Sequence, residues 1–418
     1  MFAYNSITIQ TFRGGRRSGE QVPNYVRGLN PQMLKWARER AGYSLAEIAR
    51  LLKRDVEVVS KWESGESAPT YVQLETLAYT YYKRPTALFF FPSPPEEPEA
   101  KQSFRTLPDS EVNRLQPDTL LAIREAKARQ ISLSELSGGV NPSKQLIYRE
   151  LEIDVHHGVQ SAAARVRQFL GISLPTQKSW KSTETALEKW RDAVQRAGIF
   201  VFKRSFKQKD VSGFCLSDPE FPVIYLNNST AKSRQIFTLF HELAHILLNT
   251  NGVTKQNDNY INQLEGDARR VEVFCNQFAG EFLVPSVDFY RQVSSTPLMS
   301  NRDVISLVEE LASQFNVSRE VILRKLLDRE LVSQTLYDKL TRQWLEEYRA
   351  QKERAKEKPG GNPNATHTTY LGTKYLELAF ANYYQGKCTL EQLAGYLEVR
   401  AKRIPDLEQL FLSKVAAS

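Results

Sequence analysis

Residues 237–248 read F-T-L-F-H-E-L-A-H-I-L-L. At helical spacing Ile236, Phe237, Leu239, Phe240, Leu243, Ala244, Ile246, Leu247 and Leu248 ring the axis, leaving no face suited to water. Such a helix folds only inside a domain large enough to cover it on every side. It also carries His241, Glu242 and His245, ionisable groups that a dry interior tolerates only when something satisfies them. Residues four apart on a helix stack one turn above each other, so the two imidazoles project together and can converge on one metal ion. Glu242 lies about 100° further round, within reach of a metal-bound water whose proton it can take. This is the H-E-x-x-H spacing, and in a chain with only five histidines it is a specific signal.

A metal that activates water takes three protein ligands and keeps one position open. The remaining histidines, His156, His157 and His367, lie in no patterned context. Residues 271–285, V-E-V-F-C-N-Q-F-A-G-E-F-L-V-P, read as an amphipathic helix. Glu272 falls on its stripe of Cys275, Ala279 and Phe282, whereas Glu281 falls on the opposite side. A carboxylate aimed along an apolar stripe needs a cation, which makes Glu272 the candidate third ligand. Glu265 shares that face and competes with it, although Gly266 suggests that the helix begins there.

Three short runs rich in β-branched and aromatic residues, 199–203, 212–216 and 222–227, precede the histidine helix and read as strands. They form either an ordinary sheet that covers the helix or one whose edge accepts an extended peptide. The fold class expected is mainly α with a small β-sheet, an α+β arrangement.

At 418 residues the chain calls for two or three domains. Its net charge of +8 allows a nucleic-acid partner without demanding one. The three cysteines, Cys215, Cys275 and Cys388, form no C-x-x-C pair, which fits a reducing, cytoplasmic setting and excludes a cysteine-based metal cluster. No stretch is long and apolar enough to span a bilayer, so no membrane partner is expected.

Residues 1–30 read as a flexible arm and 31–92 as a bundle of short helices. Within it Ser44 caps a helix with Leu45, Ile48, Ala49 and Leu52 inward, Asp55 opens the next, Gly65 stops it, and Thr70 caps a fourth. Residues 93–103, rich in proline and charge, read as a linker. Residues 104–354 follow as the domain containing the histidine helix, 355–366 as a second linker, and 367–418 as a C-terminal helical unit. In that unit T-L-E-Q-L-A-G-Y-L-E-V-R-A-K-R-I, residues 389–404, echoes 44–59 in spacing. Plain helix-pair packing produces this echo most simply; a second DNA reader also would.

Two resemblances emerge from these residues. S-L-A-E-I-A-R-L-L-K-R-D-V-E-V-V-S-K-W-E-S-G-E-S-A-P, residues 44–69, resembles the XRE (Cro/repressor-like) helix-turn-helix. The resemblance implies a recognition helix from Asp55 to Trp62, with Glu57, Val58 and Lys61 aimed at base edges of double-stranded DNA. Asp55 and Glu57 are acidic where phosphates would approach, which leaves protein docking or dimerisation as the competing role. R-x-x-F-T-L-F-H-E-L-A-H-I-L-L, followed 27 residues after the second histidine by E-x-x-C-N-x-F-A-x-x-F-L-x-P, resembles the ImmA/IrrE metallopeptidases. That resemblance implies a zincin-like core with His241, His245 and Glu272 as metal ligands and Glu242 as general base. The expected cofactor is Zn2+, and Mn2+ can occupy similar ligands. Cys275 and Phe282 replace an alanine and a leucine of the family pattern without touching a ligand position. The oxyanion-stabilising group is not readable, with Tyr225 and Tyr260 as guesses.

The function expected is a zinc-dependent endopeptidase that cuts an XRE-type repressor in a stress, mobile-element or phage-related circuit. The helix-turn-helix would dock it to DNA or to the repressor, and a homodimer is compatible with such docking. The alternative is a DNA-binding regulator or antitoxin whose metal domain senses or scaffolds; a general base at Glu242 favours the peptidase, because structural zinc needs none.

Overall fold

The structure is a computed structural model that describes residues 25–97, 115–156, 158–208, 210–255, 261, 263–294, 300–356 and 362–417. The arm at 1–24, most of the first linker, part of the second, His157 and Tyr260 lie outside the described residues. The fold is mainly helical with one small mixed sheet. The chain divides into two compact units, Met1–Glu96 and Glu97–Ser418. Among the described residues no helix is long and apolar enough to cross a membrane.

In the first unit, helices α1 (Pro31–Arg40), α2 (Leu45–Leu52), α3 (Val56–Ser64) and α4 (Tyr71–Glu75, continued by a π-helical turn over Thr76–Tyr82) pack as a bundle. Ser44 and Glu47 form a reciprocal capping box at the start of α2, and Thr70 and Gln73 do the same for α4. The core is Met33, Leu34, Ala37, Ile48, Ala49, Val59, Trp62, Leu74 and Leu77. The W-E-x-G exit has a physical reason at each letter. Trp62 fills the core, Glu63 pairs with the buried Arg38 of α1 at 2.8 Å, and Gly65 adopts φ +85° where a Cβ would press on Pro31.

The second unit is built around strands β1 (Phe200–Arg204), β2 (Val211–Leu216), β3 (Val223–Asn227) and β4 (Val253–Lys255), ordered β1-β3-β2-β4. β1 and β3 run parallel, and the other pairs are antiparallel. The sequence reading found the first three strands; β4 is an addition. Both faces of this sheet are buried. Val201, Cys215, Ile224 and Leu226 point to one side, against α5 (Lys232–Leu247) and α6 (Gly266–Leu283). Phe202, Phe214, Val223 and Tyr225 point to the other, where helix Pro117–Ser137 and the C-terminal helices cover them. Tyr225 therefore faces away from the histidine helix, stacked on Phe214 at 5.1 Å between centroids, and cannot reach a reacting carbonyl there.

The C-terminal helices Pro363–Leu371, α7 (Thr373–Tyr384), α8 (Leu390–Tyr396) and α9 (Ile404–Ala417) are not set apart from the sheet. Tyr375, Leu376, Phe380, Leu393, Leu407 and Phe411 share one apolar cluster with Phe202 and Phe214. A sheet buried on both faces requires such a second layer.

Candidate metal centre

The histidine helix α5 lies between the sheet and α6, wedged by Phe240. That ring meets Trp190 edge-on at 4.9 Å and stacks on Phe282 of α6 at 4.0 Å. This packing sets the two helices so that Glu272 of α6 faces His241 and His245. All three side chains, and Glu242, are at most 1% exposed.

Hydrogen bonds fix the state of each imidazole. His241 Nδ1 lies 3.0 Å from the carboxamide oxygen of Asn276, which can only accept. His245 Nδ1 lies 3.0 Å from Thr250 Oγ1, whose own proton is directed at the His245 carbonyl, so the hydroxyl accepts here too. Both rings therefore carry their proton on Nδ1 and turn an Nε2 lone pair inward. The two Nε2 atoms stand 3.1 Å apart, and Glu272 oxygens approach them at 3.5 and 3.4 Å. Three electron-pair donors at such range repel one another unless a cation sits between them. Their spacings suit zinc, since ligands about 2.0–2.1 Å from a tetrahedral ion lie roughly 3.3 Å from each other.

Without a metal the same demand falls on a proton. Burial opposes charge on His245, but the Cys275 thiol and Glu272 outweigh it and raise its pKa well above the ordinary value. Burial would likewise raise Glu272, yet His245 and His241 hold its carboxyl well below the usual range. Burial pushes the Cys275 thiol up, against the pull of His245.

Glu242 stands outside this triangle. Its Oε1 accepts from the backbone N–H of Thr254 in β4 at 3.0 Å and from the Thr254 hydroxyl. Among the described residues its Oε2 has no hydrogen-bond partner. Gly252 lies against it: a Cβ at that position would stand 2.8 Å from Oε2 and 2.4 Å from the His245 ring. Arg234, the first residue of the quoted R-x-x-F pattern, reaches from α5 to Ser212 of β2 and the Lys255 carbonyl of β4, tying both strands to the helix.

The structure thus brings His241, His245, Glu272 and Glu242 together and leaves the competitors elsewhere. Glu265 is exposed at the N-cap of α6. Glu281 caps Ser286 and pairs with Lys325. His156 is exposed, and His367 bonds to the Leu397 carbonyl. In the helix-turn-helix, Glu57 and Lys61 are exposed but paired with each other at 2.9 Å, and Val58 is turned half into the core. Val58 is thus poorly placed for a base edge, because its helical position lies next to the inward stripe of Val59 and Trp62. Asn276, Thr250, Thr254 and Gly252 were not singled out from sequence. Only Asn276 left a trace there, as part of E-x-x-C-N.

Residues 194–327 match the model of the peptidase family described as IrrE N-terminal-like domain, and residues 34–78 match a helix-turn-helix model. The chain joins a helix-turn-helix to an IrrE-like domain. The His-His-Glu cluster lies within this IrrE-like domain, in a family of metal-dependent peptidases. No curated protein matches the chain. Among solved structures, a chain described as a Mycobacterium tuberculosis transcriptional regulator is 21% identical over 43% of this chain, with a TM-score of 0.27. The match spans about half of that regulator, 49% of its length.

Proposed function

We propose that this protein is a metal-dependent endopeptidase that cuts a regulatory protein, an XRE-type repressor, with its N-terminal helix-turn-helix docking it to that repressor or to duplex DNA. The observation that carries the reading is the separation of roles around α5. Three lone-pair donors converge, while Glu242 is held outside them by Thr254 with one oxygen left open. A purely structural metal site has no use for such a carboxylate.

His241, His245 and Glu272 would hold the metal, zinc by its preference for imidazole nitrogens completed by one carboxylate, with manganese also accommodated. A metal so held supplies Lewis acidity toward a peptide carbonyl and lowers the pKa of water. Glu242 takes the proton of the attacking water on its open oxygen and delivers it to the leaving amine. Asn276 and Thr250 fix the tautomer and tilt of the two imidazoles, and Thr254 fixes Glu242. An extended peptide laid along β4, an edge of the sheet, would pass beside Glu242.

The test is to incubate the purified protein with the XRE-type repressor encoded nearest to it, with and without chelator, and to follow the products by mass spectrometry. Chelator-sensitive cleavage that Glu242→Gln abolishes at unchanged metal content is expected. Metal bound without any cleavage would instead support a sensing or scaffolding role.

A further inference from the structure

The C-terminal helices repeat the geometry of the N-terminal helix-turn-helix in a single register. One constant offset places Ser44 on Thr389, Lys53 on Glu398 and Asp55 on Arg400. Ser44 and Thr389 each close a capping box three residues on, with Glu47 and Gln392. Lys53 and Glu398 both take the left-handed conformation, at φ 54° and 53°. The turn bonds coincide. Lys53 and Arg54 donate to the carbonyls of Arg50 and Ala49, and Glu398 and Val399 donate to those of Gly395 and Ala394. Asp55 and Arg400 are extended, and the next helix begins at Val56 in one case and at Ala401, by a short 3-10 turn leading into α9, in the other.

The inward positions coincide as well. Ile48, Ala49, Val59 and Trp62 are buried, and so are their counterparts Leu393, Ala394, Ile404 and Leu407. The helix in front ends alike, one residue out of that register: Gly42 and Gly386 have φ of 77° and 68°. Each starts the same pair of closing bonds, Gly42 to Glu39 and Tyr43 to Arg38, Gly386 to Tyr383 and Lys387 to Asn382. Two packed helices need none of this shared turn geometry, whereas two helices joined by the same tight turn account for it. This unit lies outside both matched segments.

The charges differ where a duplex would approach. The acidic Asp55 and Glu57 are replaced by Arg400 and Lys402, both exposed and without an ion pair among the described residues. Val58 is replaced by Arg403, whose guanidinium is held by the Asn364 side chain. These residues line a concavity of about 590 Å³ together with Gly395, Val399 and Glu398. Glu398 is the carboxylate in that wall, and it is paired with Arg129 at 2.9 Å. The nearby Asp406 accepts from Asn364, and Glu391 lies exposed at the start of α8.

We propose that residues 389–417 form a second helix-turn-helix that binds the backbone phosphates of duplex DNA through Arg400 and Lys402, and that it is the better suited of the two to do so. Proline at 405, on the exposed side of α9, leaves phosphate positioning rather than deep groove insertion as its main contribution.

The experiment titrates a fluorescently labelled duplex of arbitrary sequence with the full chain at several salt concentrations. In Arg400→Gln/Lys402→Gln, the slope of log affinity against log salt should fall by about 2, roughly one for each lost phosphate contact. Arg400→Lys/Lys402→Arg should keep the wild-type slope, and circular dichroism and metal content should be unchanged in both variants. Lys61→Gln should change the slope less than the C-terminal pair does. A wild-type slope in the Gln pair, failure of the charge-preserving pair to keep it, or a full chain that binds no duplex would each overturn the proposal.

Discussion

Replacing Gly252 by alanine is the sharpest test of how the metal centre is assembled. Gly252 does not need its glycine for backbone reasons, since its φ lies outside the left-handed region. The obstacle is space: the new Cβ would stand 2.4 Å from Cδ2 and 2.7 Å from Cγ of His245, and 2.8 Å from Glu242 Oε2. Ordinary van der Waals contact begins near 3.4 Å, so ring and strand must separate by about 1 Å. Neither yields easily. The ring is pinned by Thr250, and Gly252 is tied to β2 by the bond from Cys215 N–H to its carbonyl at 3.0 Å. Overpacking of this kind costs about 1–3 kcal/mol of stability. Disturbing the support of a metal-ligating histidine weakens metal binding about 10- to 100-fold. Gly252→Ala should therefore melt lower and lose zinc to a competing chelator at least tenfold more readily, as read by thermal melts and chelator titration. Gly280→Ala is the control, because its Cβ would meet nothing within 4 Å on the exposed flank of α6. There the same change should be neutral or stabilising by about 0.4–1 kcal/mol. Wild-type zinc affinity and melting in Gly252→Ala would refute the placement of β4 against His245.

Glu272→Ala should lose bound metal while Glu265→Ala keeps it, measured by elemental analysis after dialysis; retained metal in the first would move the third ligand elsewhere. Asn276→Ala, which releases the tautomer of His241, should weaken zinc about 10- to 100-fold with the fold intact, and an unchanged affinity would make that hydrogen bond incidental. Lys203, fully buried in β1 beside Glu188, has its pKa lowered by burial from 10.5 to about 8. The folded chain gives up that proton before the unfolded one does, so stability rises with pH between about 8 and 10.5. Lys203→Met should flatten that rise without loss of stability at pH 7, as read by denaturant melts across the range; a rise as steep as wild type would place the titration on another group.

The H-E-x-x-H residues were legible because their geometry is local: four residues on a helix fix which side chains meet. Glu272 was legible for a related reason, since the helical period put it on the stripe of Cys275 and Phe282 and a dry carboxylate asks for a cation. What could not be read depends on pairing across the chain. β4 is three residues long, too short for alternation to show, and the roles of Gly252 and Thr254 exist only once β4 lies beside β2. Tyr225 was misjudged for the opposite reason. The alternation along β3 was visible, but nothing in the sequence says which of its two buried faces meets the histidine helix. The C-terminal echo was legible as spacing and ambiguous as structure; the left-handed turn at Glu398 and the inward set of Leu393, Ala394, Ile404 and Leu407 are what favour the helix-turn-helix proposal over plain helix packing.

The sheet has a helical layer on each side, and its strands are only three to six residues long. Neighbouring residues of β3 therefore belong to different societies: Ile224 and Leu226 to the layer with the histidines, Tyr225 to the layer with the C-terminal helices. A chain ended at the last residue matched to the peptidase family would keep every proposed ligand but strip the C-terminal helices from Phe202, Phe214 and Tyr225, leaving helix Pro117–Ser137 as a partial cover over that face. Such a fragment would be expected to clump before it could be assayed, and its silence would say nothing about the chemistry of Glu242.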